Sequence, residues 1–280
     1  MINSKIKMGV ELEFLDAPVK KVGAELHKIR EKFDHPLYIE DSHVASEVKG
    51  FKQAKLKNSS WKLIEDGSVS STNDDGDEIG GEVVSPVLPI STDSFRQIQH
   101  AIRALHRSGA DYSEKTGIHI HLDLYNIDRF VLLTMWGLLS DDIYLLFSDR
   151  ISNRYASEMY KINHTTRSLE ARQVLALILM NNGVEDLFGE KYSTLHIYDR
   201  DDDPKHPMGE FRVGQMEDNP YLMTAWLKSC CQLVIEASKF RDMMDFLYQN
   251  HSYNLKALNM RAPTALKWSR KEIDEISVYV

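Results

Sequence analysis

Two cysteines in 280 residues are too few for a disulfide-stapled scaffold, and the pair present, Cys230 and Cys231, is adjacent and badly placed to bridge itself. With no Cys-x-x-Cys pair, a structural zinc site is disfavoured, and reduced thiols suit a cytoplasmic protein. Positive charge is also in deficit. The formal net charge is −8, which works against non-specific binding to DNA, RNA or anionic membrane. Long apolar runs are missing: the longest, Phe130 to Leu139, is broken by Ser140-Asp141-Asp142 and reads as a buried helix rather than a membrane span. The opening Met1 to Lys7 has no apolar stretch of signal-peptide type. Neither an internal repeat nor a low-complexity linker is found, and 42% hydrophobic with 27% charged residues is ample for a packed core.

What the chain does have is a recurrent two-residue spacing of acids, histidines and an arginine. It occurs in Gly9-Val10-Glu11-Leu12-Glu13-Phe14, Gly81-Glu82-Val83-Val84, Gly117-Ile118-His119-Ile120-His121-Leu122 and Gly209-Glu210-Phe211-Arg212-Val213. Successive strand side chains point to opposite faces, so Glu11/Glu13, His119/His121 and Glu210/Arg212 each share a face, with apolar residues on the other. One such pair reads equally well as a solvated sheet face. Four in one chain favour a site, because clustered carboxylates repel unless a positive group sits among them. Hard oxygen donors select magnesium or manganese for that role.

The remaining pattern predicts an α+β domain with helices on the apolar face of the sheet. Helices are expected from about Val19 to Phe33, after an N-cap at Thr92 or Asp93, from Asp128 to Phe147, from Ser168 to Met180, and along a segment carrying Trp226, Val234 and Phe240. Trp61 to Ile64, Tyr192 to Tyr198 and Glu210 to Val213 read as strands, Asp66-Gly67 as a turn, and Asn73 to Asp77 as a hairpin loop. Residues 1–249 are expected to form the main domain and 250–280 a short accessory tail.

The ordered series Gly-x-Glu11-x-Glu13-Phe14, Trp61 followed by Asp66-Gly67-Ser68, Glu82 followed by Ser85-Pro86, His119-x-His121, an arginine-bearing Ser148 to Tyr155 segment, and Glu210-Phe211-Arg212 resembles the amidoligase branch of the glutamine synthetase-like carboxylate-amine ligases. The likeness runs from about Met8 to the segment with Trp226. It implies a glutamine synthetase-like antiparallel sheet with one polar, metal-binding face, and ATP-dependent amide-bond formation through an acyl phosphate with bound magnesium, or manganese in its place.

By the same resemblance, Glu11, His119 and Glu210 are ligands for the metal on the ATP phosphates, and Glu13 and Glu82 for a substrate-side metal. Arg212 contacts the transferred phosphoryl group, Arg150 and Arg154 lie near substrate or phosphates, and Asp66 with Ser68 borders the substrate pocket. His121 is a substrate contact, a partner of a ligand, or a structural histidine; surface ion pairing is the alternative for both arginines, a plain turn for Asp66, and core packing is favoured for Trp61. The partners implied are a small-molecule or peptide acid and an amine.

Two positions depart from the family pattern: Gly209 stands where threonine is usual, and Leu195-His196 where an asparagine is often found. Other classes stay open. A metal-dependent hydrolase would use His119 and His121 for the metal and Glu82 or Glu210 as base, a guanidino-kinase-like phosphotransferase would share the phosphoryl chemistry, and an inactive binding protein would keep the scaffold alone.

Overall fold

A computed structural model describes residues 6–39, 59–151, 193–199, 206–243 and 245–246. It is a mixed structure in which a mostly antiparallel, open sheet is combined with helices. The chain divides into two compact units, Met1–Ile120 with Gly214–Thr224, and His121–Val213 with Ala225–Val280.

In the first unit, β1 (Lys7–Pro18), β2 (Leu37–Ile39), β3 (Trp61–Ile64), β4 (Ser71–Thr72), β5 (Glu78–Val84), β6 (Leu88–Pro89) and the start of β7 (Ile118–Asp123) build the sheet. Its order is β2–β3–β5–β1–β7, with β4 beside β5 and β6 beside β1. β2 and β3 run parallel, whereas β5 is antiparallel to β1, β3 and β4. The period-two alternation explains β1: Val10, Leu12 and Phe14 are buried, and α1 (Val19–Lys28) and α2 (Thr92–Arg107) pack on this strand.

α1 is shorter than its apolar spacing suggests. It ends at Lys28, a 3₁₀ turn covers Arg30–Lys32, and Phe33 leaves the helical path to pack its ring 4.9 Å from that of Trp61. Trp61 is accordingly a core residue. The cap of α2 falls one residue earlier than expected, because Ser91, in extended backbone, accepts a hydrogen bond from the Ser94 amide. Ahead of Glu82, Gly80 and Gly81 have φ of +80° and +143°, and a Cβ would stand 2.3 Å from Val69 O and 2.8 Å from Ile64 O respectively. Only glycine meets both demands, so this pair fixes how β5 enters the sheet.

The second unit carries the sheet order β7–β9–β8, with β8 (Leu195–Tyr198) antiparallel to β9 (Met208–Phe211). Its helices are α3 (Arg129–Leu146), the single turn α4 (Ser148–Ile151) and most of α5 (Pro220–Ala237). Asp128 caps α3 by accepting from the Phe130 amide, and the next turn buries Val131, Leu132, Leu133, Met135 and Trp136. The Trp136 ring lies edge-on to Phe211 at 5.3 Å, and Trp226 packs against both Trp136 and Phe147. This aromatic layer is what backs β9. Among the described residues no helix is long and apolar enough to cross a membrane.

α5 stops at Ala237, short of Phe240, where Ser238 turns its hydroxyl back to the Ile235 carbonyl. At Gly209 a Cβ would stand 3.3 Å from the end of the Leu124 side chain, a tight but yielding contact. The expected helix from Ser168 to Met180 and the tail 250–280 lie outside the described residues.

Candidate active site

Register, rather than local sequence, decides what each acid meets. In the first unit β1 and β5 place Glu13 directly opposite Glu82, and β3 sets Ile64 opposite Glu82, so the turn that follows β3 brings Asp66 to the same spot. Oxygens of Glu13, Asp66 and Glu82 all lie within 4.8 Å of one another. Like charges facing each other across a ladder are destabilising, the more so because Glu13 is only 4% exposed.

Part of that repulsion is offset locally. The Gly117 amide donates to Glu13 Oε2 at 2.5 Å, and His119 Nε2 stands 3.4 Å from Glu13 Oε1. The other ring nitrogen of His119 is 3.1 Å from Glu11 Oε2. His119, itself buried, therefore links the two carboxylates that β1 sends to one face. Asp66 has a second task, since its Oδ1 accepts from the Ser68 amide at 2.8 Å and closes the turn. Ser68 is exposed.

The second unit surrounds one acid with nitrogen. Glu210, buried, pairs its Oε1 with the Arg212 guanidinium, has His121 Nε2 at 4.0 Å, and faces His196 across the β8–β9 ladder with Nδ1 at 3.5 Å. His121 Nδ1 is 3.2 Å from the Tyr198 hydroxyl, and the Tyr198 ring is stacked on His196 at 4.9 Å. Arg212 is held from both sides of its backbone: its amide donates to the Thr194 carbonyl, and its carbonyl accepts from Arg150 Nε at 3.3 Å. Arg150 is fully buried, so the surface ion-pairing alternative does not describe it.

Of the residues singled out by sequence, then, Glu11, Glu13, Glu82, His119 and Asp66 are grouped in one unit, and His121, Glu210, Arg212 and Arg150 in the other; Arg154 lies outside the described residues. Asp66 was legible as a turn but not as the third carboxylate beside Glu13 and Glu82. His196 and Tyr198 were missed as site residues, although they repeat the two-residue spacing on a strand.

A family model described as "Putative amidoligase enzyme" matches residues 4–196, more than two thirds of the chain. The chain belongs to the amidoligase family. No curated protein matches it. As an amidoligase-family member it is assigned to the ligases in general, enzymes that join small-molecule substrates. Three carboxylates converging on one point form a hard, anionic donor set that fits a divalent cation.

Proposed function

We propose that the chain is an ATP-dependent carboxylate-amine ligase, working in the cytoplasm on a glutamine synthetase-like sheet, with a small-molecule or peptide acid and an amine as substrates. Family membership supports the reaction class, and the observation that carries the reading is the grouping of Glu13, Asp66 and Glu82, whose oxygens lie within 4.8 Å of one another and fit a divalent cation.

The chemistry is that of an activated carboxylate. A carboxylate oxygen attacks the γ-phosphorus of ATP, ADP leaves, and the amine nitrogen then displaces phosphate from the acyl phosphate to give the amide. Magnesium or manganese, when bound, neutralises phosphate charge and orients the transfer. In this reading Glu13 and Glu82, joined by Asp66, hold the substrate-side cation, and the resemblance alone assigns Glu11, His119 and Glu210 to the one on the nucleotide. Arg212 stabilises the phosphoryl group in transfer, because its planar guanidinium is always charged and offers several donors.

Arg150 keeps Arg212 in place through the Arg212 carbonyl, and Arg154 is assigned to the phosphates on the resemblance alone. Ser68 fixes Asp66, and His121 serves as a substrate contact beside Glu210. The test is a thermal-shift screen of acids and amines at constant Mg-ATP, since a bound substrate pair raises stability by mass action. Hits are followed by ADP release. Release that requires both acid and amine is the expected result. Hydrolysis without ATP, or a phosphorylated guanidino product, would replace this reading by the hydrolase or the kinase.

A further inference from the structure

We infer that His196 is itself a metal ligand, sharing a divalent cation with Glu210, and that it biases this site towards manganese over magnesium. The inference rests on the ligase reading only in taking Glu210 as a metal-binding residue.

Three observations carry it. His196 and Glu210 are direct partners across the β8–β9 ladder, so their side chains leave the sheet side by side on the same face. His196 Nδ1 is buried and, among the described residues, makes no hydrogen bond, although Glu210 Oε2 is only 3.5 Å away. The stack on Tyr198, with the planes 25° apart, holds the plane of the His196 ring beside Glu210.

An orphaned buried nitrogen beside a carboxylate has two readings by tautomer. A protonated Nδ1 should donate to Glu210, yet the pair is out of hydrogen-bonding geometry; an unprotonated Nδ1 sets a lone pair against a carboxylate, and two acceptors repel. A cation between them resolves the second case. Two atoms each about 2.1 Å from one ion stand about 3.0 to 3.4 Å apart at octahedral or tetrahedral angles, close to the separation seen. The two oxygens of Glu210 face different partners: Oε1 pairs with Arg212, and Oε2 is the oxygen towards His196.

The choice of metal follows from donor type. An imidazole nitrogen favours a transition metal over magnesium, which prefers oxygen donors and gives up its water reluctantly, and the carboxylate beside it keeps manganese among the metals that fit. His196 thus offers a nitrogen that binds manganese better than magnesium.

Calorimetric titration of the full chain with manganese and then magnesium, without nucleotide, tests this. His196→Phe keeps the ring stack on Tyr198 and removes the ligand, so manganese affinity should fall about 10-fold or more while magnesium affinity changes much less. Electron paramagnetic resonance of the manganese-loaded protein should show one nitrogen coupling fewer in His196→Phe than in the wild type. His196→Asn, with a polar side chain retained, provides a second variant should the first fail to fold, and the same loss is expected. Wild-type manganese affinity and nitrogen couplings in a folded variant would overturn the inference and leave the ligase reading standing. Wild type that binds no manganese overturns it as well. A chain that loses manganese binding on substitution, yet releases no ADP with any acid and amine, would uphold the inference and sink the ligase reading.

Discussion

The acids at Glu13 and Glu210 begin from the same local motif, a charged residue two positions from another on a strand, and end in opposite surroundings. Glu13 faces Glu82 and is joined by Asp66, so its corner of the sheet is rich in oxygen. Glu210 faces His196 and neighbours His121 and Arg212, so its corner is rich in nitrogen. The difference arises along the strand, where Glu13 has Glu11 and Glu210 has Arg212 two residues away, and again across the ladder, where the partners are Glu82 and His196. It teaches that a two-residue spacing fixes which face a ligand occupies, while register fixes the charge it must live with.

The sharpest way to break the comparison is through the glycines that set register. Gly81→Ala would put a Cβ against Ile64 O in a backbone conformation that alanine resists, and should cost about 3 kcal/mol or more in chemical denaturation. Gly209→Ala meets only the flexible end of Leu124 and should cost about 1 kcal/mol or less. Equal costs would show that β5 is not pinned by its glycine pair.

Next in size is Arg212→Lys. Charge is kept and the fork geometry lost, so ADP formation with a competent acid and amine should drop by roughly 10²-fold while Mg-ATP binding weakens far less. An unchanged rate would leave Arg212 a structural partner of Glu210. Glu82→Gln addresses the oxygen-rich corner: removing the like charge opposite Glu13 should stabilise the metal-free protein by up to about 1 kcal/mol and abolish much of the heat of magnesium binding. Destabilisation of the metal-free protein would mean that the carboxylates do not repel.

The smallest effect is expected outside both corners. Burial first, and then the neighbouring Asp218, hold the Glu217 carboxyl above its ordinary value of 4.5. Its protonated form is therefore favoured by folding, so the stability it contributes is complete below the ordinary value and is lost as pH rises through the raised one. Glu217→Gln, which mimics the protonated group, should match wild type in acid and melt higher at neutral pH, by less than about 3 °C because the side chain is only partly buried. A melting difference independent of pH would reject the assignment.

Much of this was legible in sequence, for identifiable reasons. The alternation at Val10 to Phe14 and Ile118 to Leu122 located buried strands because a sheet face repeats every second residue, and the apolar density after Asp128 located a helix buried behind β9. Boundaries were less legible where tertiary packing outweighed periodicity: Phe33 keeps helical spacing but is drawn to Trp61, and Phe240 lies past the turn that Ser238 makes. Arg150 was read beside a surface alternative because a charged residue next to Asp149 is usually solvated; its burial under the Arg212 backbone depends on a contact 62 positions away.

By itself, then, the sequence determined which residues share a face, which segments are apolar enough to be buried, and the family to which the order of motifs belongs, since each of these depends on spacing along the chain. Only the tertiary structure decided that Asp66 joins Glu13 and Glu82, that His196 stands opposite Glu210, and that Arg150 reaches Arg212 from within the core. Those relations are made between strands and turns distant in sequence, where hydrogen-bond register and packing choose the neighbours and no local pattern records the choice.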